Sequence, residues 1–146
     1  MLGDLYYHGP RNPLPKEYDP MQVASLLNQK KDMILAVKGN CDAEVDQMSS
    51  AFPMKKHLLL EVNGKKVFFT HGQIYNKDHL PKEEIDILIY GHFHTGFIVE
   101  QRSVLCANAG SLSIPKEETQ HSYLVIEKEG LFLKNIQGNV LQERQW

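Results

Sequence analysis

Apolar and polar positions alternate differently in successive parts of the chain. Val23, Leu26 and Leu27 stand at i, i+3 and i+4, the spacing of one apolar helix face. Asp19-Pro20 precedes them, an N-cap followed by proline at the first helical position. The spacing predicts a helix from there to near Lys30-Lys31, where cations would meet the negative end of its dipole. Met33-Ile34-Leu35-Ala36-Val37 is a continuous apolar run and predicts a strand buried on both faces. It stops at Lys38-Gly39-Asn40-Cys41-Asp42, and a short helix is expected to about Ala51, before Pro53. The stretch from Gly9 to Pro20 carries four prolines and reads as an extended loop.

Beyond Pro53 the pattern turns to strands. Leu58 to Val62 and Lys65 to Thr70 flank Asn63-Gly64, a strong hairpin signal. Ile87-Leu88-Ile89-Tyr90 predicts another buried strand. Phe97 to Gln101 and Val104 to Ala107 predict a further hairpin, with Asn108-Ala109-Gly110-Ser111 as a turn. Ser122 to Arg144 reads as two or three antiparallel strands, turning at Glu129-Gly130 and Gly138-Asn139. Helices and strands alternate early and strands dominate later, so a mixed α/β sheet packed on a second sheet is expected.

Composition narrows the classes. A chain of 146 residues suits one domain spanning 1–146. Its net charge of -2 gives no case for nucleic acid, and the Lys30-Lys31, Lys55-Lys56 and Lys65-Lys66 pairs are dispersed. No apolar run approaches the roughly 20 residues of a membrane span. The first residues are broken by Gly3, Asp4, His8 and Pro10, unlike a signal peptide. Cys41 and Cys106 do not form a disulfide framework, so a cytoplasmic location is expected.

The chemistry gathers at strand ends. Gly3-Asp4, Gly39-Asn40, His71-Gly72 and Gly91-His92-Phe93-His94 each close a strand in this reading. Ligands of open α/β sheets bind outside the carboxyl ends of the strands. If these ends lie together, Asp4, Asn40, His71, His92 and His94 converge, two oxygen donors and three imidazoles. Such a set suits Mn, Fe, Zn, Co or Ni rather than a cysteine-rich structural zinc site. Taken singly, each of these residues also reads as a turn, a cap or a satisfied polar group.

The order Gly-Asp, Gly-Asn-x-Asp, Thr-His-Gly, Gly-His-x-His resembles the calcineurin-like metallophosphoesterase family. His8-Gly9-Pro10-Arg11-Asn12, Glu44 to Met48 and Ser111 to Lys116 are similar to it as well, so the resemblance runs from Leu2 to Tyr123. It implies a β-sandwich flanked by helices, in four α/β/β/α layers, with two divalent metal ions at one end. Asp4 would bridge both ions. Asn40, His71 and His92 would complete one shell, and His94 would belong to the other. Manganese is the foremost expectation, with Zn, Ni, Co or Fe as alternatives. The implied activity is hydrolysis of a small phosphodiester by a metal-bound hydroxide. The alternative is a non-catalytic scaffold of the same fold or an inactive truncated homologue.

Two further residues enter through the resemblance. Cys41 stands where many members have a histidine that assists the leaving group, and Arg11 lies in the loop after Asp4. A neutral thiol and a phosphate-clamping guanidinium are their catalytic readings. Simple packing for Cys41 and a solvated loop position for Arg11 stay open. Asp42 reads as a cap or a support for a ligand. The family begins with an Asp-x-His motif, and none precedes Asp4. The expectation is therefore a chain incomplete at its N-terminus, holding one ion, with open sheet edges that favour self-association.

Overall fold

Strand periodicity builds the centre of the molecule. The computed structural model describes residues 1–146. Strands β3 (His57–Val62) and β4 (Lys65–Thr70) form the expected hairpin, with Asn63 and Gly64 both at positive φ (52° and 74°) in its turn. β5 (Ile87–Tyr90) adds in parallel to β4, and β7 (Val104–Ala109) adds in parallel to β5. β6 (Gly96–Gln101) pairs antiparallel to β7 and completes a five-stranded sheet in the order β3-β4-β5-β7-β6.

All four residues of β5 are buried because both faces of this sheet are covered. Ile87 and Ile89 join Val67, Ile98, Ala107, Leu131 and Leu133 on one face. Leu88 and Tyr90 join Phe68 and Cys106 on the other, beneath Tyr75, Leu80 and Ile85. That outer cover is loop, since no helix lies between β4 and β5.

Leu131 and Leu133 belong to a second sheet. β8 (Ser122–Ile126), β9 (Gly130–Asn135) and β10 (Val140–Gln145) form an antiparallel meander in the order β10-β9-β8. It lies on the inner face of the five-stranded sheet. β1 (Ala36–Val37) and β2 (Met54–Lys55) form a separate parallel pair. Met1 pairs along β1, its nitrogen donating to the Leu35 carbonyl at 2.9 Å and its carbonyl accepting from Val37 at 3.0 Å.

The helices are short. α1 (Pro20–Asn28) starts as expected, with the Asp19 carboxylate accepting from the Gln22 amide at 2.9 Å. It ends before Lys30, and Lys31–Met33 form a single 3-10 turn. Its Val23-Leu26-Leu27 stripe is only partly covered: Leu26 is 58% exposed and Ala24 is the buried residue. α2 (Glu44–Ser49) stops short of Ala51.

Two readings of the sequence are corrected. The run Met33 to Val37 is not a strand buried on both faces. Only Ala36 and Val37 are strand and buried, while Met33 is 83% exposed in the 3-10 turn. Asn108 and Ala109 extend β7 instead of turning, because pairing with β5 and β6 holds them extended. No helix is long and apolar enough to cross a membrane. Both cysteines are unpaired.

Candidate active site

The Gly3 and Gly39 loops meet at the end of the sandwich. A Cβ on Gly3 would strike the Gly39 backbone, and one on Gly39 would overlap the Asp4 carboxylate. Two glycines are therefore needed for these loops to touch. Asp42 locks the contact. Its buried carboxylate accepts from the amides of Asp4 (2.8 Å), Leu5 (3.0 Å) and Gly39 (2.7 Å). The supporting role expected for Asp42 is what the geometry displays. The Cys41 amide in turn donates to Asp4 Oδ1 at 2.9 Å.

β4 and β5 deliver the histidines. His71 follows β4 and is buried, with Nδ1 donating to the Leu2 carbonyl at 2.6 Å. That bond leaves Nε2 as the lone-pair nitrogen when the ring is neutral. Nε2 then faces Asp4 Oδ2 at 3.2 Å, Asn40 Oδ1 at 3.0 Å and His92 Nδ1 at 3.2 Å. Asp4, His71 and His92 offer ligand atoms within 4.8 Å of one another. The backbone is strained to place them: Asp4, His92 and His94 all sit at positive φ (53°, 67° and 62°). Non-glycine residues rarely adopt that region, and it recurs at functional sites.

Asp4, Asn40, His71 and His92 are thus brought together, and His94 stands apart from their cluster. Its Nδ1 donates to the Ile114 carbonyl at 3.0 Å, leaving Nε2 as the free nitrogen. Its ring packs edge-on against His8, centroids 6.0 Å apart. Both rings line the same cavity as Asp4, His71 and His92, about 730 Å³ in volume. His8 Nε2 lies 3.0 Å from Ser113 Oγ. No local pattern pairs His8 with Ser113, from which it is 105 residues distant. Only the fold joins them.

Arg11 is exposed and has no ion-pair partner. Its charge nevertheless acts on both Cys41 and His92, as that of Lys116 acts on His92 and His94. Cys41 Sγ accepts from Asn40 Nδ2 at 3.3 Å and is half-buried.

Electrostatics follow from this packing. Burial pushes the Asp4 carboxyl up, but its bond to His71 and the His71 charge outweigh that and hold it below its usual range. Burial likewise opposes a charge on His71, yet the Asp4 hydrogen bond wins and raises it. His8, His92 and His94 are lowered, chiefly by burial. The Cys41 thiol is pushed up to about 11 by burial and by the Asp4 charge.

The donor set itself fits a cation. With His71 neutral, polar atoms of Asp4, Asn40 and His92 gather around the lone pair of its Nε2. The ring nitrogen Nε2 sits 3.0–3.2 Å from the other three. Those separations are what neighbouring ligands show when bonds to one ion are about 2.1 Å. A proton shared between Asp4 and His71 is the alternative occupant of that centre.

Known proteins bear the same architecture. Residues 3–130 match the calcineurin-like phosphoesterase superfamily domain. The chain is 40% identical over 135 residues to phosphodiesterase YfcE of Escherichia coli, covering 90% of this chain and 72% of that one. It is 30% identical over 101 residues to the probable metallophosphoesterase YsnB of Bacillus subtilis, covering 64% and 56%. The solved structure of YfcE, a phosphoesterase from E. coli, overlays with a TM-score of 0.93 at 33% identity, covering 99% of this chain and 81% of that one. The chain belongs to the calcineurin-like phosphoesterase superfamily, a family of phosphoric ester hydrolases.

Proposed function

We propose that this chain is a metal-dependent phosphodiesterase acting on small phosphodiesters. The observation that carries the reading is the gathering of Asp4, Asn40 and His92 around His71 Nε2, at 3.2, 3.0 and 3.2 Å. Those four residues would hold one divalent ion, while Asp4 and His94 alone are too few protein ligands to hold a second firmly. Manganese is the foremost candidate, with Zn, Ni, Co or Fe as alternatives. When bound, such ions supply Lewis-acid neutralisation of charge on the phosphoryl oxygens.

The chain's own residues do the rest. Asp42 clamps the Asp4 loop to the Gly39 loop, so the carboxylate is positioned before any ligand arrives. The Leu2 carbonyl holds the His71 ring in one tautomer. Arg11, exposed and free of ion pairs, would take a phosphate oxygen pair in its fork. Cys41 stays protonated, since its thiol is pushed up to about 11, and so serves as a weak hydrogen-bond donor rather than a nucleophile. A weak donor suits a diester with a good leaving group. The 730 Å³ cavity matches a small-molecule site, and the dispersed lysine pairs offer no track for a long polyanion.

The test is hydrolysis of bis-p-nitrophenyl phosphate by the purified chain, shown folded by circular dichroism, with Mn²⁺ and a chelator control. Turnover that disappears with chelator and in His92→Ala supports the reading. A folded chain that binds Mn²⁺ yet turns nothing over would establish the scaffold alternative.

A further inference from the structure

A single buried side-chain nitrogen has no hydrogen-bond partner: Nδ1 of His8. An orphaned buried N–H is rarer than an orphaned acceptor, because a stranded donor forfeits its full hydration. A protonated ring, or the tautomer with hydrogen on Nδ1, would strand such an N–H. His8 is therefore neutral with its hydrogen on Nε2, where Ser113 Oγ stands 3.0 Å away.

That tautomer fixes the hydroxyl. Ser113 Oγ accepts from His8, so its own hydrogen is directed elsewhere, and no other protein group pairs with it. Ser113 and His8 line the same cavity as Asp4, His92 and His94. The loop carrying Ser113 is pinned on both sides. Ser111 Oγ accepts from the amides of Ser113 and Ile114 at 3.3 and 3.0 Å. The Ile114 carbonyl accepts from His94 Nδ1 at 3.0 Å, and the His94 carbonyl accepts from the Lys116 amide at 3.0 Å. Ser113 is thus a preorganised donor, with its backbone tied to His94 and its side chain tied to His8. The pair is not a nucleophilic dyad, because a base for Ser113 would need a lone pair at Nε2, the nitrogen that carries the hydrogen.

We propose that Ser113 is a substrate-binding residue whose hydroxyl donates to a phosphoryl oxygen, and that His8 is the residue that positions it. This deepens the phosphodiesterase reading and rests on it for the identity of the acceptor. The half-buried hydroxyl lacks an acceptor, and a charged oxygen makes the strongest hydrogen bond to such a donor. A phosphodiester keeps its negative charge on two non-bridging oxygens, so one of them meets the need. An apolar ligand in the cavity would leave the O–H unpaired and away from water.

The first readout needs neither metal nor turnover. Nitrogen-15 NMR of the metal-free chain should show His8 Nε2 protonated and Nδ1 bare, and the reverse assignment overturns the proposal. The second is calorimetry of inorganic phosphate binding to the Mn²⁺-supplemented chain. Ser113→Ala should weaken that binding about tenfold or more. Ser113→Thr keeps the hydroxyl and should recover most of the loss. His8→Phe should also weaken binding, because the hydroxyl is then free to rotate, and His8→Gln, which regains an N–H donor, should restore part of it. KM for bis-p-nitrophenyl phosphate should rise in step with the loss of phosphate affinity, while kcat changes little. A folded Ser113→Ala chain that binds phosphate as the wild type does overturns the proposal, and so does a wild-type chain that binds none. Phosphate affinity that depends on Ser113 in a chain hydrolysing no diester would support this assignment and overturn the phosphodiesterase reading alone.

Discussion

His71 Nε2 lies 3.2 Å from Asp4 Oδ2, and each group shifts the other's titration in the direction of charge. The pair is the electrostatic centre of the site. His71 closes β4, whereas Asp4 lies in the loop that Asp42 clamps, so the pair also reports whether the loops are docked on the sheet.

This pairing sets the pH dependence of the metal-free chain. Asp4 is lowered from 3.8, so its contribution is present above that pH and is lost as pH falls through the lower folded value. His71 is raised from 6.5, so its contribution is complete below 6.5 and is lost as pH rises through the higher folded value. Melting temperature of chelator-treated protein should be greatest between these limits and fall on both sides. His71→Gln should remove the alkaline fall. A wild-type profile that stays flat from about pH 6 to about pH 9 would contradict a protonated His71.

Asp42→Ala should destabilise more than a surface change. It strands the amides of Asp4, Leu5 and Gly39, with the loss of charge-assisted bonds worth about 3 kcal/mol or more in total. Urea unfolding measures that loss. Mn²⁺ affinity, read by calorimetry on the folded fraction, should fall about tenfold to a hundredfold.

Gly39→Ala tests the contact of the two loops. Its Cβ would strike both the Asp4 carboxylate and the Asp4 backbone nitrogen, so the Asp4 loop must move away. The expected outcome is loss of high-affinity metal binding together with a lower melting temperature, read by calorimetry and thermal unfolding.

Cys41 should resist alkylation. A thiol pushed up to about 11 carries little thiolate near neutrality. Iodoacetamide labelling of the native, metal-free chain should be much slower than in denaturant, where the ordinary value returns. Equal rates in both states would show a thiolate at the site.

Arg11→Ala should raise KM for a diester while changing kcat little, since an exposed guanidinium would bind substrate and transition state alike. Arg11→Lys should recover only part of the loss, because an ammonium cannot make the paired contact. An unchanged KM would leave Arg11 as a solvated loop residue.

Local chemistry was legible in the residues. Asn63-Gly64 could be read as a hairpin turn because few other pairs tolerate two positive φ angles. Ile87 to Tyr90 could be read as a strand buried on both faces because apolar residues occupy both sides of its pleat. Asp19-Pro20 could be read as a helix start because a short carboxylate and a fixed φ suit that position. The order of the glycine-flanked Asp, Asn and His positions identified the ligand candidates. Met33 to Val37 misled, because an apolar run has the same letters whether it is covered or bare, and here Met33 turns into a 3-10 helix in the open.

Residue identity and spacing determined which groups were available: two oxygen donors, three strand-end imidazoles, a thiol and a loop arginine. Tertiary structure decided which of them meet. Both His92 and His94 adopt left-handed backbone, so their two-residue spacing no longer aims them alike, and His94 turns to the Ile114 carbonyl and His8. The clamp of Asp42 on Asp4 and the His8–Ser113 pair likewise arise from segments far apart in the chain. Hydrogen bonds across such distances depend on how whole sheets pack, and no local pattern of side chains encodes that.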